Sequence, residues 1–256
     1  MSLLCVGLDP EPTRYPGRYA GRVDATFEFC RDIVDATSDL VCAYKPQVAY
    51  FAAMGAEGQL ERLIRHIREC APEVPVILDA KRGDIGPTAS QYAREAFDRY
   101  GADAVTVSPY LGYDTIEPFL ERGSVFVLCK TSNPGSNDLQ ALEVDGEPLY
   151  RRVARDLTRR FADSGRLGLV VGATYPEELG EVRRVVGEVP LLVPGIGAQG
   201  GDIASVGPAM TKSGGVVVNS SRAVLYASDD EDFAHASRRV ARETRDALSV
   251  VFRARG

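Results

Sequence analysis

The chain has 256 residues, of which 45% are hydrophobic and 26% are charged, and its formal net charge is −6. This composition is typical of a globular protein with ample core material, and the acidic balance argues against nonspecific nucleic-acid binding. No apolar run approaches the roughly 18 residues that a membrane-spanning helix needs, and the N-terminus lacks the basic flank of a signal peptide. We therefore expect a cytoplasmic protein with neither nucleic acid nor a membrane among its partners.

Short apolar runs alternate with longer amphipathic stretches from one end of the chain to the other. The strand candidates are residues 3–8, 40–44, 75–78, 104–107, 125–129, 168–172, 191–193 and 216–219. Helical patterns include residues 24–37, 58–70, 88–99, 148–163, 176–186 and 231–252. Because the strand candidates are uniformly apolar, they indicate a parallel sheet that is covered on both faces.

Eight β-α units in a chain of this length favour one closed (β/α)8 barrel, a TIM barrel of the α/β class, over an open doubly wound sheet. No shift in composition marks a domain boundary, so residues 1–256 are predicted to form a single domain. Residues 130–147 are rich in Ser, Asn, Gly, Asp and Pro and are predicted to form a long loop. Long loops inside compact domains tend to be functional.

The cysteines and histidines argue against a metal site. The five cysteines are scattered without a C-x-x-C pair, and the chain has only two histidines, His66 and His235. This pattern does not match the ligand spacing of zinc centres. Cys5, Cys42 and Cys129 lie inside strand-like runs, which favours buried free thiols in a reducing compartment.

Charged residues stand where the first three strands are predicted to end. In a (β/α)8 barrel, the loops at the C-terminal ends of the strands build the active site. Asp79 and Lys81 project to the same side of the third strand, since side chains alternate with period two, and Asp84 follows shortly after. With Asp9 and Lys45 at the first two strands, we expect a partly desolvated network that perturbs the pKa of its members. For any one residue, the alternative is a polar loop position without a role.

A phosphate site is predicted at the ends of the seventh and eighth strands. The run Pro194-Gly-Ile-Gly-Ala-Gln-Gly-Gly201 forms a glycine-rich turn before a short helix. Glycine lets the backbone approach a ligand closely, and a helix N-terminus offers free N–H groups to an anion. Asn219-Ser-Ser-Arg222 then supplies an arginine whose planar guanidinium suits phosphate oxygens. Barrels of this kind often bind phosphate at this place.

The run Asp79-Ala-Lys81-Arg-Gly-Asp84-Ile-Gly-Pro-Thr88, together with Pro194-Gly-Ile-Gly-Ala-Gln199, resembles the orotidine 5′-phosphate decarboxylase family. Val6-Gly-Leu-Asp9-Pro and Lys130-Thr-Ser-Asn-Pro-Gly135 are similar to the bacterial type 2 branch of that family. The resemblance covers essentially the whole chain, and D-x-K-x-x-D on the third strand is its most specific motif. Two departures are the absence of a phenylalanine from the first segment and an Asn-Ser-Ser run before Arg222, where other branches have a shorter Gly-Arg ending.

The resemblance implies a homodimeric (β/α)8 barrel that converts orotidine 5′-monophosphate (OMP) to UMP and carbon dioxide, the last step of de novo pyrimidine synthesis, without metal or organic cofactor. It implies that Lys81 protonates C6 of the pyrimidine and that Asp79 lies against the departing carboxylate. Asp84, with Ile85 and Thr88, would reach the partner subunit's site, where Asp84 would complete a network with Lys45, Asp79 and Lys81. The implied substrate contacts are Asp9, Lys45 and Thr88 for ribose hydroxyls, Ser132 for the pyrimidine edge, Gln199 and Arg222 for phosphate, and Ile85, Pro194 and Asn219 beside them.

Two other functions stay open on the sequence. A Mg²⁺-dependent sugar-phosphate decarboxylase or aldolase of the same superfamily shares the D-x-K-x-x-D motif but places a glutamate at the end of the second strand. Lys45 occupies that position here, and an ammonium repels a divalent cation. A non-catalytic nucleotide- or phosphate-binding barrel would keep Gly195 and Arg222 but would have no need for charges on the first three strands.

Overall fold

The computed structural model describes residues 2–196, 203–213 and 215–254. Eight parallel strands form its centre: β1 (Leu4–Leu8), β2 (Ala43–Pro46), β3 (Ile77–Arg82), β4 (Ala104–Val107), β5 (Ser124–Lys130), β6 (Leu167–Val171), β7 (Leu191–Pro194) and β8 (Val216–Ser220). They pair in the order β2-β1-β8-β7-β6-β5-β4-β3, and parallel bridges from Tyr44 to Val76 and from Gln47 to Asp79 join the two outer strands. The order follows the sequence around a nearly closed ring, which confirms the (β/α)8 barrel and excludes the doubly wound sheet, whose strand order reverses.

Helices cover the outside of the barrel. The α-helices are α1 (Thr26–Thr37), α2 (Val48–Ala53), α3 (Glu57–Cys70), α4 (Gly86–Arg94), α5 (Glu117–Leu120), α6 (Ser136–Leu139), α7 (Leu149–Phe161), α8 (Pro176–Val186), α9 (Arg222–Leu225) and α10 (Phe233–Arg253). A π-helical turn over Glu95–Arg99 continues α4, and 3-10 turns lie at Pro12–Arg14, Gly17–Tyr19, Val23–Ala25, Tyr113–Thr115, Ala162–Ser164 and Ile203–Ala209. In the described part of the chain, no helix combines the length and the hydrophobicity that a membrane crossing requires.

Some strands extend further along the chain than their apolar runs predict. The run 40–44 predicts a strand that ends before Lys45, whereas β2 spans Ala43–Pro46, and β3 continues to Arg82. The reason is that pairing with the neighbouring strand continues past the apolar residues: Gly7 lies in register with Lys45 on β1 and β2. Lys45 and Lys81 therefore belong to strands and not to the loops after them.

The barrel interior contains an apolar layer that sets the position of the polar residues above it. This interior layer consists of Cys5, Ala43, Ile77, Ala104, Phe126, Val170 and Leu192. Lys45, Asp79 and Thr106 each come two residues after a member of the layer, on β2, β3 and β4 respectively. Since side chains alternate along a strand, these three residues face inward one step closer to the C-terminal mouth.

Residues 130–147 are more ordered than their composition predicts. They contain α6 and a small antiparallel hairpin of Glu143–Val144 with Glu147–Pro148. The Lys130 ammonium is buried and donates to Ser136 Oγ at 2.9 Å and to Asn137 Oδ1 at 2.7 Å. Its charge therefore anchors this segment to β5.

The five cysteines are all free thiols. Cys5 and Cys129 are buried, as predicted, and burial raises the pKa of both thiols. Cys42 is only half-buried, because it lines an opening at the N-terminal end of the barrel.

Candidate active site

A pocket at the C-terminal mouth of the barrel brings together most of the predicted site residues. Its volume is about 180 Å³. Seven predicted residues line it, namely Asp9, Lys45, Asp79, Ser132, Pro194, Asn219 and Arg222, together with Gln47, Gly195, Ile196 and Ser221. These residues come from strands on opposite sides of the barrel, so a ligand in the pocket would contact both the acidic and basic groups of β1–β3 and the polar groups of β7 and β8.

Lys45, Asp79 and Lys81 form a continuous chain of charges, which we call the charge chain. Lys45 and Asp79 line the pocket, whereas Lys81 is not among its lining residues and is connected to it through the Asp79 carboxylate. Lys45 Nζ donates to Asp79 Oδ2 at 2.7 Å, and Lys81 Nζ donates to Asp79 Oδ1 at 2.6 Å. Lys45 and Asp79 are only 4% and 6% exposed, whereas the Lys81 side chain is 47% exposed. Lys81 is therefore the most solvent-exposed member of the charge chain.

Burial and charge oppose each other in setting the pKa values of the charge chain. Burial alone would raise the pKa of Asp79, but the ammonium groups of Lys45 and Lys81 outweigh burial and hold this pKa well below its usual range. Burial alone would lower the pKa of Lys45, but the carboxylates of Asp79 and Asp9 outweigh it and hold this pKa above its ordinary value. Lys45 and Asp79 are therefore both charged at neutral pH.

The β3 strand leaves the regular ladder at the charge chain. Its register with β4 pairs Leu78 with Val105 and then Arg82 with Val107. Between these two pairs β3 advances by four residues while β4 advances by two. Lys81 has a φ angle of 45°, in the left-handed region that residues other than glycine rarely adopt. Asp79 and Lys81 do meet, as period-two alternation predicts, but a bulge in β3 directs the lysine towards the carboxylate.

Asp9 carries an open carboxylate oxygen at the end of β1. Its Oδ1 atom is buried and has no hydrogen-bond partner within the described ranges. The backbone at this residue is held in place, because Tyr226 Oη donates to the Asp9 carbonyl at 3.0 Å. Buried carboxylate oxygens in native proteins almost always have a partner, so this atom is available to accept a hydrogen bond from a ligand in the pocket.

The ends of β7 and β8 form the opposite wall of the pocket. Arg222 is exposed at the start of α9 and makes no ion pair with residues 2–196, 203–213 or 215–254. Asn219 Nδ2 donates to Ser221 Oγ at 3.1 Å. Ser221 fits against β1 only because residue 7 is glycine, since a Cβ atom on Gly7 would lie 1.9 Å from Ser221 Oγ. Gln199, which was predicted to bind phosphate, lies outside the described residues.

Asp84, Ile85 and Thr88 lie on the rim after β3 and do not line the pocket of their own chain. Asp84 Oδ1 accepts a hydrogen bond from the Ile85 N–H at 2.8 Å, and the Ile85 side chain is 61% exposed. Tyr110 and Leu111, in the loop after the adjacent β4 strand, are 81% and 49% exposed. Exposed apolar side chains therefore follow two adjacent strands at the C-terminal end of the barrel.

Two residues that contact the charge chain were not predicted. Gln47 follows β2 directly and bridges to the Asp79 backbone, and the strand-end rule that selected Lys45 could have found it. Thr106 lies inside the apolar run of β4, and its hydroxyl donates to Asp79 Oδ1 at 2.9 Å. A β-branched residue in such a run indicates core packing, so nothing in the sequence alone distinguishes this threonine.

The barrel mouth is not suited to a divalent cation. Lys45 and Lys81 place two positive charges on the Asp79 carboxylate, whereas Mg²⁺ requires oxygen ligands free of competing cations. The one group of three potential metal ligands in the described part of the chain is Asp35, His66 and Cys70, on the outer helices α1 and α3. His66 Nε2 lies 2.6 Å from Asp35 Oδ1, so these two side chains already satisfy each other.

The fold and the site together define a class of protein, a (β/α)8 barrel with a lysine–aspartate–lysine chain at its C-terminal mouth. Comparison with known proteins narrows this class. The model of the Orotidine 5′-phosphate decarboxylase / HUMPS family matches residues 2–236. The chain belongs to this family.

Individual relatives agree with the family match. A protein named Orotidine 5′-phosphate decarboxylase from Dechloromonas aromatica (strain RCB) is 61% identical over 254 residues, which cover 97% of this chain and 94% of the relative. One of the same name from Ralstonia pickettii (strain 12J) is 60% identical over 252 residues, covering 97% and 93%. The solved structure of Leishmania donovani OMP decarboxylase superposes with a TM-score of 0.84 at 39% identity, over 98% of this chain and 94% of that one. The two curated relatives are bacterial, and placement in the type 2 branch stays a prediction.

Proposed function

We propose that this chain decarboxylates OMP to UMP and carbon dioxide, the last step of de novo pyrimidine synthesis, and that Lys81 protonates C6 of the pyrimidine. The family and its relatives support the reaction. One observation carries the role of Lys81: its half-exposed ammonium lies 2.6 Å from the buried carboxylate of Asp79. The carboxylate fixes the position of the ammonium beside Asp79, which lines the pocket.

The chemistry requires a positive charge that can also donate a proton. Loss of carbon dioxide breaks the bond between C6 and the carboxylate carbon, and both electrons stay on C6 as a vinyl carbanion without a conjugated sink. An ammonium beside C6 stabilises this developing charge and then forms the C6–H bond with its own proton. Lys81 leaves the step as a neutral amine and regains a proton from solvent, to which its side chain has access.

Asp79 and Lys45 also contribute to the loss of carbon dioxide. The Asp79 carboxylate lies close to the substrate carboxylate, and their repulsion raises the energy of the bound substrate until carbon dioxide leaves. Protonation of Asp79 would relieve that repulsion. Lys45 prevents it, because its buried ammonium lies 2.7 Å from Asp79 and holds the carboxylate ionised.

The remaining pocket residues bind the parts of OMP that do not react. Asp9 and Lys45 bind ribose hydroxyls, and Ser132 binds the pyrimidine edge. Arg222 and Gln199 bind the phosphate, and Pro194 and Asn219 line the wall between these groups. The unpartnered Oδ1 of Asp9 and the guanidinium of Arg222, which has no carboxylate partner among the described residues, support this assignment. Binding energy from the phosphate can be used at the distant C6, because interactions that strengthen in the transition state raise the rate.

The active unit in this proposal is a cytoplasmic homodimer of the single-domain chain, residues 1–256. Asp84, Ile85 and Thr88 lie outside the pocket of their own chain, so in the dimer they complete the pocket of the other subunit. Thr88 there contacts a ribose hydroxyl, and Asp84 extends the charge chain. The exposed side chains of Ile85 and Tyr110 supply apolar area for the contact.

Two observations weigh against the alternative functions. A Mg²⁺-dependent sugar-phosphate enzyme needs an acidic ligand where Lys45 stands, and the Lys45 ammonium is buried against Asp79. A non-catalytic phosphate-binding barrel has no use for two lysines on one carboxylate, since burying charges in this way costs stability.

A spectrophotometric assay of OMP decarboxylation in excess EDTA separates the three functions. We expect turnover that the chelator does not affect. Turnover that disappears in EDTA and returns with Mg²⁺ would favour the sugar-phosphate enzyme. Tight UMP binding, measured by calorimetry, without turnover of OMP would favour the non-catalytic barrel.

A further inference from the structure

Thr106 holds together the carboxylate and the backbone of the bulged segment in β3. Its hydroxyl donates to Asp79 Oδ1 at 2.9 Å and accepts hydrogen bonds from the N–H groups of Ala80 at 3.0 Å and Lys81 at 2.9 Å. A threonine hydroxyl has one hydrogen to donate and two lone pairs to accept with, so all of its capacity is used. The side chain is 1% exposed, and solvent does not compete for these bonds.

These bonds replace the ladder that β3 and β4 lose at the bulge. Between the pairs Leu78–Val105 and Arg82–Val107 the two strands are out of register, and the N–H groups of the bulged residues need other partners. Thr106 is the β4 residue between the two pairs, and its inward-facing side chain supplies the missing acceptor. The left-handed φ angle of Lys81 is thus held by a side chain on the neighbouring strand.

We propose that Thr106 is a positioning residue for Lys81. The hydroxyl binds the same carboxylate oxygen that accepts from Lys81 Nζ, and it also binds the Lys81 backbone N–H. The Lys81 N–H bonds the Thr106 hydroxyl directly, and the Lys81 ammonium bonds the Asp79 oxygen that the same hydroxyl holds. Thr106 therefore positions both ends of the lysine from β4, a strand that contributes no residue to the charge chain. This inference rests on the proposed decarboxylation, in which a small displacement of the ammonium from C6 slows the proton transfer and weakens the stabilisation of the carbanion.

The role predicts a specific kinetic signature. Thr106 does not line the pocket, so its hydroxyl contributes little to binding OMP or UMP. It acts on the step in which Lys81 meets C6. Misplacement of a reacting group by about 1 Å can cost on the order of 100-fold in rate. Loss of the hydroxyl should therefore lower kcat and leave KM and product affinity nearly unchanged.

The test compares Thr106→Val with Thr106→Ser. Valine keeps the shape but has no hydroxyl, and we expect kcat to fall on the order of tenfold to 100-fold with KM and the calorimetric Kd for UMP within about threefold of wild type. Serine keeps the hydroxyl and should retain at least about a third of wild-type kcat. Thr26→Val is a matched control, because Thr26 is equally buried and bonds Val23 and Tyr15, away from the charge chain. Its kcat should equal that of wild type.

Three results would overturn the inference: wild-type kcat in Thr106→Val, an equal loss of kcat in Thr106→Ser, or a loss of UMP affinity as large as the loss of kcat. Thermal melting establishes that each variant is folded. Thr106→Ala is judged by the same criteria if the valine variant does not fold. Absence of OMP turnover in the wild-type chain would instead refute the proposed function, so the two failures are distinguishable.

Discussion

The barrel interior has a pocket at each end, and the two pockets differ in size and in chemistry. The N-terminal pocket has a volume of about 410 Å³ and is lined mainly by apolar residues such as Leu3, Ile77 and Phe126. The pocket at the C-terminal mouth is less than half as large, at about 180 Å³, and is lined by lysine, aspartate, arginine and amide side chains. Ile77 and Phe126 belong to the interior apolar layer, which lies between the two.

The charged residues at the two ends are used in different ways. At the N-terminal end, Asp103 accepts from the Val76 N–H at 2.8 Å, and Arg166 donates to the backbone carbonyl at the end of α5 at 2.9 Å. These charges hold the chain together. At the C-terminal mouth, the Oδ1 atom of Asp9 and the guanidinium of Arg222 have no comparable partner in the described residues. The buried, unpartnered oxygen of Asp9 therefore favours the C-terminal pocket over the larger N-terminal one as the ligand site.

Lys81→Ala should produce the largest change at the C-terminal end. We expect kcat for OMP decarboxylation to fall by about 10⁴-fold, at the upper end of the contribution of general acid catalysis, while UMP still binds and the melting temperature stays close to wild type. Lys212→Ala is the matched control, because Lys212 is an exposed lysine before β8, at the N-terminal end of the barrel. Retained turnover in Lys81→Ala would exclude the proton-donor role.

Mixed dimers test whether the C-terminal pocket is shared between subunits. Lys81→Ala and Asp84→Ala chains should each be inactive alone. In a mixed dimer, one site combines an intact Lys81 with the partner subunit's intact Asp84. Random exchange makes half of the dimers mixed, so activity should recover to about a quarter of wild type. Subunit exchange confirmed by native mass spectrometry, without recovered activity, would show that Asp84 does not act across the interface.

Arg222→Ala should weaken phosphate binding at the C-terminal end. A hydrogen bond to a charged group contributes about 1.5–3 kcal/mol, so we expect kcat/KM for OMP to fall about tenfold to 100-fold, mainly through KM. Calorimetry should show weaker UMP binding and unchanged uridine binding, since uridine has no phosphate. Arg166→Ala removes an arginine from the N-terminal pocket and should leave both affinities unchanged. Equal weakening of UMP and uridine would assign Arg222 to the nucleoside.

Much of the fold follows from the sequence because the strand signals are strong and local. Eight uniformly apolar runs separated by helical patterns are enough to indicate a parallel barrel, and its topology then places Asp9, Lys45 and Asp79 at one mouth. What the sequence does not contain is register. The relative register of β3 and β4 determines the bulge in β3, the left-handed conformation of Lys81 and the contact from Thr106. This register cannot be read from the sequence of either strand alone.

Polar residues near strand ends are also ambiguous until their partners are known. Lys130 and Lys45 both stand at the end of a strand in the sequence, and both are buried in the structure. Lys45 faces the pocket and pairs with Asp79, whereas Lys130 faces α6 and bonds Ser136. The difference arises from the fold of residues 130–147, whose composition predicts only an irregular loop.

Phe126→Ala should change stability and leave catalysis nearly unaffected, the reverse of the effect at the C-terminal end. The ring fills the interior apolar layer and is 8% exposed, and Gly168 leaves room for it, since a Cβ atom there would lie 2.5 Å from the ring. Removing it enlarges the N-terminal pocket and should lower the free energy of unfolding by about 3 kcal/mol in urea denaturation. At a temperature where the variant is folded, kcat/KM should stay within about twofold of wild type, because the charge chain is held by Lys45 and Thr106 from β2 and β4. A tenfold loss of kcat in the folded variant would show that the interior layer positions the charge chain, and that the two ends of the barrel are coupled.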